Sequence, residues 1–290
     1  MTRNMHKYEE LTPYEFDCEK EKASIVYIAA GPVEYHEECA VLGFDTNKGY
    51  HWCLQAAEKT GGIVFPMLPV APDKWTYMTR DELMESYKSV EFTDTYTRKV
   101  GIYPSIFFSG ETCRMLYKEL LETLAIGMKF KLCVFVGSHG PAGAMISDIV
   151  KEFMENNPIN TEYDDVENKD IGVFHGMHVM AVRSITYCRN AKNKLYEENG
   201  IRVNSSVHGG VWEAALNYAI NPEYFQPKYL DETKYPQHYG PIQDKEGEEH
   251  LLRPTKFELS KLTPEFAAEL HNATIDGLVS DVTNLYNHIK

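Results

Sequence analysis

The run Ile25-Val26-Tyr27-Ile28-Ala29-Ala30 contains no charged residue, and Leu132-Cys133-Val134-Phe135-Val136, after Lys131, repeats the pattern. A strand with one face in water alternates apolar and polar residues. Neither run does so; the first reads as a strand buried on both faces, and the second reads as a strand as well. Helical patterns lie between and beyond them. Thr46 to Thr60 ends at Gly61-Gly62, the pairs Met115/Leu116, Leu120/Leu121 and Leu124/Ala125 mark a face from Thr112 to Gly127, and Met145 to Met154 forms another helix. The alternation predicts a three-layer α/β fold, a mostly parallel sheet flanked by helices. In such sheets ligands collect beyond the carboxyl ends of the strands.

Chemistry-bearing residues stand at two of those ends. After the first strand comes Gly31-Pro32-Val33-Glu34-Tyr35-His36, with Asp45 nine residues beyond His36 and past Gly43. In extended chain alternate side chains share a face, so Glu34 and His36 can point into one cavity; the stretch alone reads equally as a surface turn with solvated acids. One imidazole with two carboxylates suits Zn, Mn or Fe better than a sulfur-rich structural site. After the second strand, Gly137-Ser138-His139-Gly140-Pro141 is a turn into a helix. Taken alone, His139 reads first as a helix cap in a glycine-rich turn.

Composition narrows the partners. The net charge of -14 disfavours a phosphate backbone, so no nucleic acid is expected. The six cysteines (18, 39, 53, 113, 133 and 188) form no C-x-x-C pair, which argues against a disulfide frame or zinc ribbon. No apolar run approaches ~18 residues, and Met1 to Lys22 lacks an apolar signal core. The expectation is a soluble cytoplasmic protein with no membrane partner.

The remaining chain is uneven. Ile63 to Val70 reads as a strand whose prolines place it at an edge. Residues 71–100 have no clear period and read as an insertion in a single 1–290 domain. Gly172 to Cys188 reads as one or two strands. His175 and His178, three apart, would face opposite ways there and could not share a metal. Asn221 to Lys256 is a polar excursion, and Thr263-Pro264 opens a final helix with a stripe of Phe266, Leu270, Ala273, Gly277, Leu278, Val282 and Leu285.

Three ordered motifs resemble those of the creatininase (creatinine amidohydrolase) family. The first is Gly31-Pro32-Val33-Glu34-Tyr35-His36 with Phe44-Asp45-Thr46. The second is Ser138-His139-Gly140, where the family usually reads asparagine-glycine-histidine-glycine-glycine-asparagine. The third is His208-Gly209-Gly210-Val211-Trp212-Glu213, without the acid that usually precedes the histidine and with Ala214-Ala215 in place of threonine-serine. Family members hydrolyse amides with two adjacent divalent ions.

The resemblance implies that Asp45 bridges two divalent ions (Zn, Mn or Fe). Glu34 and His139 would complete one site, and His36 and Glu213 the other. His208 would be catalytic, Trp212 would line the substrate pocket, and attack by a metal-bound hydroxide would hydrolyse a C–N amide bond, usually in a ring. Where the chain departs from the family's motifs, a cyclic substrate larger or more polar than creatinine is expected. A homo-oligomer, a hexamer, is implied as well. Two alternatives stay open: the same fold opening a cyclic polyol ketone by C–C cleavage, or a metal-free relative without activity. Trp75, Tyr77, Tyr87, Tyr96, Tyr224, Tyr229, Tyr235 and Tyr239 lie in the 71–100 and 221–256 stretches, where hydroxyl-bearing rings would suit a hydroxylated substrate.

Overall fold

A computed structural model describes residues 3–36, 40–73, 77–89, 104–156, 169–202, 208–225, 242–243, 249–251 and 256–290. In chain order its main elements are α1 (Pro13–Lys22), β1 (Ile25–Ala30), α2 (Phe44–Thr60), β2 (Ile63–Val64), α3 (Arg80–Lys88), α4 (Gly110–Glu122), β3 (Leu132–Gly137), α5 (Gly140–Asn156), β4 (Lys169–Phe174), β5 (Met177–Arg183), α6 (Arg189–Asn199), α7 (Val211–Ile220), a two-stranded ribbon of β6 (Ile242–Gln243) and β7 (Glu249–Leu251), α8 (Lys256–Leu259) and α9 (Pro264–Ile289).

The five-stranded sheet has the order β2-β1-β3-β5-β4, with every pairing parallel except β4 against β5. Every residue of β1 and β3 is buried, as an all-apolar strand requires. Alternate residues feed two cores. Ile25, Tyr27 and Ala29 of β1 and Val134 and Val136 of β3 pack against α2, α6, α7 and α9. Val26, Ile28, Cys133 and Phe135 pack against α4 and α5 on the other side. The three-layer expectation is met.

Several elements differ from the sequence reading. α2 begins at Phe44, so Asp45 lies in its first turn. β2 is only two residues long, at the sheet edge where the prolines put it. His175 is not on a strand. It sits at φ +48° beside Gly176 in the turn joining β4 to β5, and the reversal makes β4 antiparallel. The 71–100 stretch contains α3, opened by a capping box in which Thr79 and Glu82 bond each other's backbone N–H groups. On α9 the buried face includes Ala267, His271, Thr274 and Ile275, displaced slightly from the Ala273–Gly277 side of the expected stripe.

Sheet order positions the site. From β1 the chain first crosses to β2 on one side, then returns to β3 on the other. The strands whose crossovers diverge, β1 and β3, leave a crevice at their carboxyl ends. The segments holding Glu34, His36 and His139 all leave from there.

Candidate metal centre

The turn after β1 is clamped from several directions. The Glu34 N–H donates to the Leu42 carbonyl at 2.8 Å, and the Ile106 N–H donates to the Val33 carbonyl at 2.7 Å. The Tyr35 N–H donates to Ser105 Oγ at 2.9 Å. Thr46 Oγ1 donates to the Gly31 and Pro32 carbonyls at 3.1 and 3.0 Å, tying the start of α2 to the end of β1. A Cβ on Gly31 would lie 2.7 Å from Ser138 Oγ and 3.0 Å from Asp45 Cβ, so a side chain there would push Asp45 away.

His139 immediately precedes α5, and its carbonyl accepts the first helical bond, from the Gly143 N–H at 2.9 Å. The backbone therefore caps the helix while the side chain turns into the crevice. Glu213 also has two tasks. Three residues into α7, its Oε2 accepts the Gly209 N–H at 2.6 Å, with Gly209 at φ +65°, a left-handed conformation that suits glycine. The same carboxylate faces His36.

The structure brings Glu34, His36, Asp45, His139, His208 and Glu213 to one cavity of about 290 Å³, walled also by Trp212, Asp73, Ser138, Pro141, Ser184 and Ile185. Three overlapping ligand sets occur among the described residues: Glu34, Asp45 and His139; His36, Asp45 and Glu213; and Glu34, His36 and His208. His139 Nδ1 is 3.0 Å from Glu34 Oε2 and 3.3 Å from Asp45 Oδ2. His36 Nε2 is 3.5 Å from Asp45 Oδ2 and 3.8 Å from Glu213 Oε2.

These contacts do not satisfy the oxygens. Glu34 Oε2 and Asp45 Oδ2 are buried without a hydrogen-bond partner, a costly state unless something else fills the role. Ligand atoms ~2.1 Å from a tetrahedral ion are about 3.4 Å apart. The observed 3.0–3.8 Å separations fit that spacing. The residues present therefore fit a divalent ion.

The imidazoles are oriented alike. His36 Nδ1 lies 3.2 Å from the Glu34 carbonyl, His139 Nε2 3.2 Å from the Pro72 carbonyl and His208 Nε2 2.8 Å from the Tyr35 carbonyl. Each carbonyl takes an N–H, which leaves the opposite nitrogen's lone pair for the cavity, the usual arrangement of metal-binding histidines.

The electrostatics agree. Burial would raise the Asp45 carboxyl, yet Lys48, His36 and His139 hold it well below the ordinary carboxylate range. Burial would lower the His139 imidazole, but Glu34 and Asp45 push it up to about 10. His208 is also raised, with Glu34 and Glu213 overcoming burial. That proton would sit on His139 Nδ1 against Glu34 Oε2 and Asp45 Oδ2, and a divalent ion would displace it and take up the Nδ1 lone pair.

Sequence reasoning missed Lys48. Its side chain is 1% exposed and its Nζ donates to Asp45 Oδ1 at 2.8 Å. The i, i+3 spacing on a helix was the available signal. Asp73, Ser184 and Ile185 were missed too, being cavity walls without a motif. His175 and His178 do not line the cavity, and neither do Tyr77, Tyr87 or Tyr224. Trp75, Tyr96, Tyr229, Tyr235 and Tyr239 lie outside the described residues.

No protein-family profile and no curated protein sequence matches the chain. Solved structures do. A creatinine amidohydrolase (creatininase) superposes with a TM-score of 0.63 at 15% identity, covering 97% of this chain and 98% of its own. A manganese form of creatininase gives the same values. A zinc-zinc creatininase variant superposes at 0.63 with 14% identity, covering 98% and 99%. No helix among the described residues is long and apolar enough to cross a membrane. Superposition over nearly the whole of both chains shows the architecture: this chain has the creatininase fold.

Proposed function

We propose that the protein is a metal-dependent hydrolase that cleaves the C–N bond of a small, cyclic amide using two divalent ions. One observation carries the reading. Three imidazoles, each with its far nitrogen against a backbone carbonyl, face three carboxylates, and two of the carboxylate oxygens are buried without a hydrogen-bond partner.

Glu34, Asp45 and His139 would hold one ion, and His36, Asp45 and Glu213 the other, with Asp45 common to both sets. When bound, such a pair supplies an activated water and polarises the bond under attack. The protein's own residues do the rest. The Tyr35 carbonyl holds His208 by its Nε2–H, so Nδ1 is the atom that passes a proton. Water adds to the carbonyl carbon and gives a proton to the His208 Nδ1 lone pair, and as the C–N bond breaks Nδ1 returns that proton to the departing nitrogen. Trp212 and Ile185 give the cavity apolar walls, while Asp73, Ser138 and Ser184 supply polar groups to orient a ring. A volume near 290 Å³ suits a single small ring.

The test is elemental analysis of protein purified without chelator, paired with an assay of cyclic amides before and after metal loading. Two equivalents of a divalent metal and metal-dependent ring opening are expected. Well under one equivalent with no gain on loading would leave a non-catalytic relative.

A further inference from the structure

Lys48 is a buried cation that the reaction above does not use. It lies three residues after Asp45 on α2, and its Nζ donates to Asp45 Oδ1 at 2.8 Å. Aromatic rings surround that nitrogen, with Phe44 at 4.2 Å, Trp212 at 5.5 Å and Trp52 at 5.8 Å to the ring centroids. A lysine stem is flexible, but one caged by rings and paired with a carboxylate has few other positions. Asp45 is therefore divided. Oδ1 faces the lysine and its cage, while Oδ2 faces His36 and His139 and lacks a hydrogen-bond partner.

We infer that Lys48 is a positioning residue that withholds Asp45 Oδ1 from the metals, so that two ions share the single oxygen Oδ2. This rests on the dinuclear reading and deepens it. A carboxylate that spans two ions usually offers one oxygen to each, which sets them further apart. With Oδ1 occupied by an ammonium, one oxygen must serve both ions and draws them together. The ion pair also fixes the Asp45 side chain before any metal arrives, so little reorganisation accompanies binding. Trp212 joins the two regions, since the ring that walls the substrate cavity also belongs to the lysine cage.

Two measurements test this. In a crystal structure of the manganese-loaded protein, Oδ2 should be a ligand to both ions, with Oδ1 still hydrogen-bonded to Lys48. Oδ1 at ligand distance from either ion would overturn the inference. In solution, electron paramagnetic resonance of Lys48→Met loaded with Mn(II) should show two bound ions whose mutual coupling is weaker than in the parent protein. A merely structural lysine would leave that coupling unchanged, and superposable spectra with two ions bound in both would reject the positioning role. Circular dichroism checks folding, and Lys48→Gln replaces the methionine variant if that does not fold. If neither folds, the loaded crystal decides. A parent protein that takes up fewer than two Mn(II) ions would instead overturn the dinuclear reading itself, and this inference with it.

Discussion

The rings of His36 and His208 lie against each other, centroids 4.4 Å apart and tilted by 32°. They come from distant parts of the chain, and each is fixed by a backbone carbonyl in the same short segment, Glu34 for His36 and Tyr35 for His208. A ligand and a proton carrier can thus share a support without sharing a role. His208→Ala should keep two metal equivalents and lose about 10²–10⁴ in turnover. Loss of one equivalent on elemental analysis would make His208 a ligand.

Asp45→Asn should abolish binding of both ions, because both sets draw on this side chain. Stability gives a second readout. An ion that binds only the folded chain adds about 2.7 kcal/mol at a hundredfold excess over Kd. Thermal unfolding of the parent should therefore shift upward with added Mn(II), and that of Asp45→Asn should not. A full shift in the variant would refute the shared-ligand assignment.

Gly31→Ala should cost about 1–3 kcal/mol, since the new methyl meets Ser138 Oγ at 2.7 Å and Asp45 Cβ at 3.0 Å. Weaker metal binding should accompany the lost stability, because the contact displaces Asp45. Adding Ser138→Ala should recover part of the loss. Denaturant melts of the single and double variants, with metal titrations, check both points.

Acid should unfold the protein partly through His271. Burial pushes its imidazole down, with help from His51 and Lys59, to about 4. Its Nε2 meets Gln55 Oε1 at 3.3 Å, and Gln55 Nε2 meets His51 Nε2 at 3.1 Å. Between pH ~6.5 and ~4 the unfolded chain binds a proton that the folded one does not, so stability falls as pH falls. The contribution is intact above pH ~6.5, and about 2–3 kcal/mol is lost by pH ~4. Urea melts of parent and His271→Gln from pH 7 to 4.5 should show the variant losing less. Equal losses would remove His271 from the acid response.

The sequence was most informative where burial is total. β1 and β3 carry no alternation because both faces meet helices, and their order relative to Glu34 and His139 placed the crevice. It was least informative where tertiary contacts reverse a residue's ordinary meaning. Lys48 reads as a solvated helix face, and only Phe44, Trp52 and Trp212 closing over it make it internal. The β4–β5 reversal was hidden because its turn is His175-Gly176 rather than a common hairpin pair. α3 has a sequence signal of its own, the Thr79-Arg80-Asp81-Glu82 capping box, inside a stretch without clear hydrophobic period.

The divergence of the chain on either side of β1 has a consequence for how such a protein tolerates change. A pit made by strand order is a property of the connections, and no wall residue has to be preserved for it to exist. Helix surfaces can be replaced wholesale while the pit remains. A superposition over 97% of the chain at 15% identity is compatible with this, since strand order does not depend on particular side chains. The same connections admit different linings, and in this chain Asp73, Ser184 and Ile185 are among the residues that line the pit.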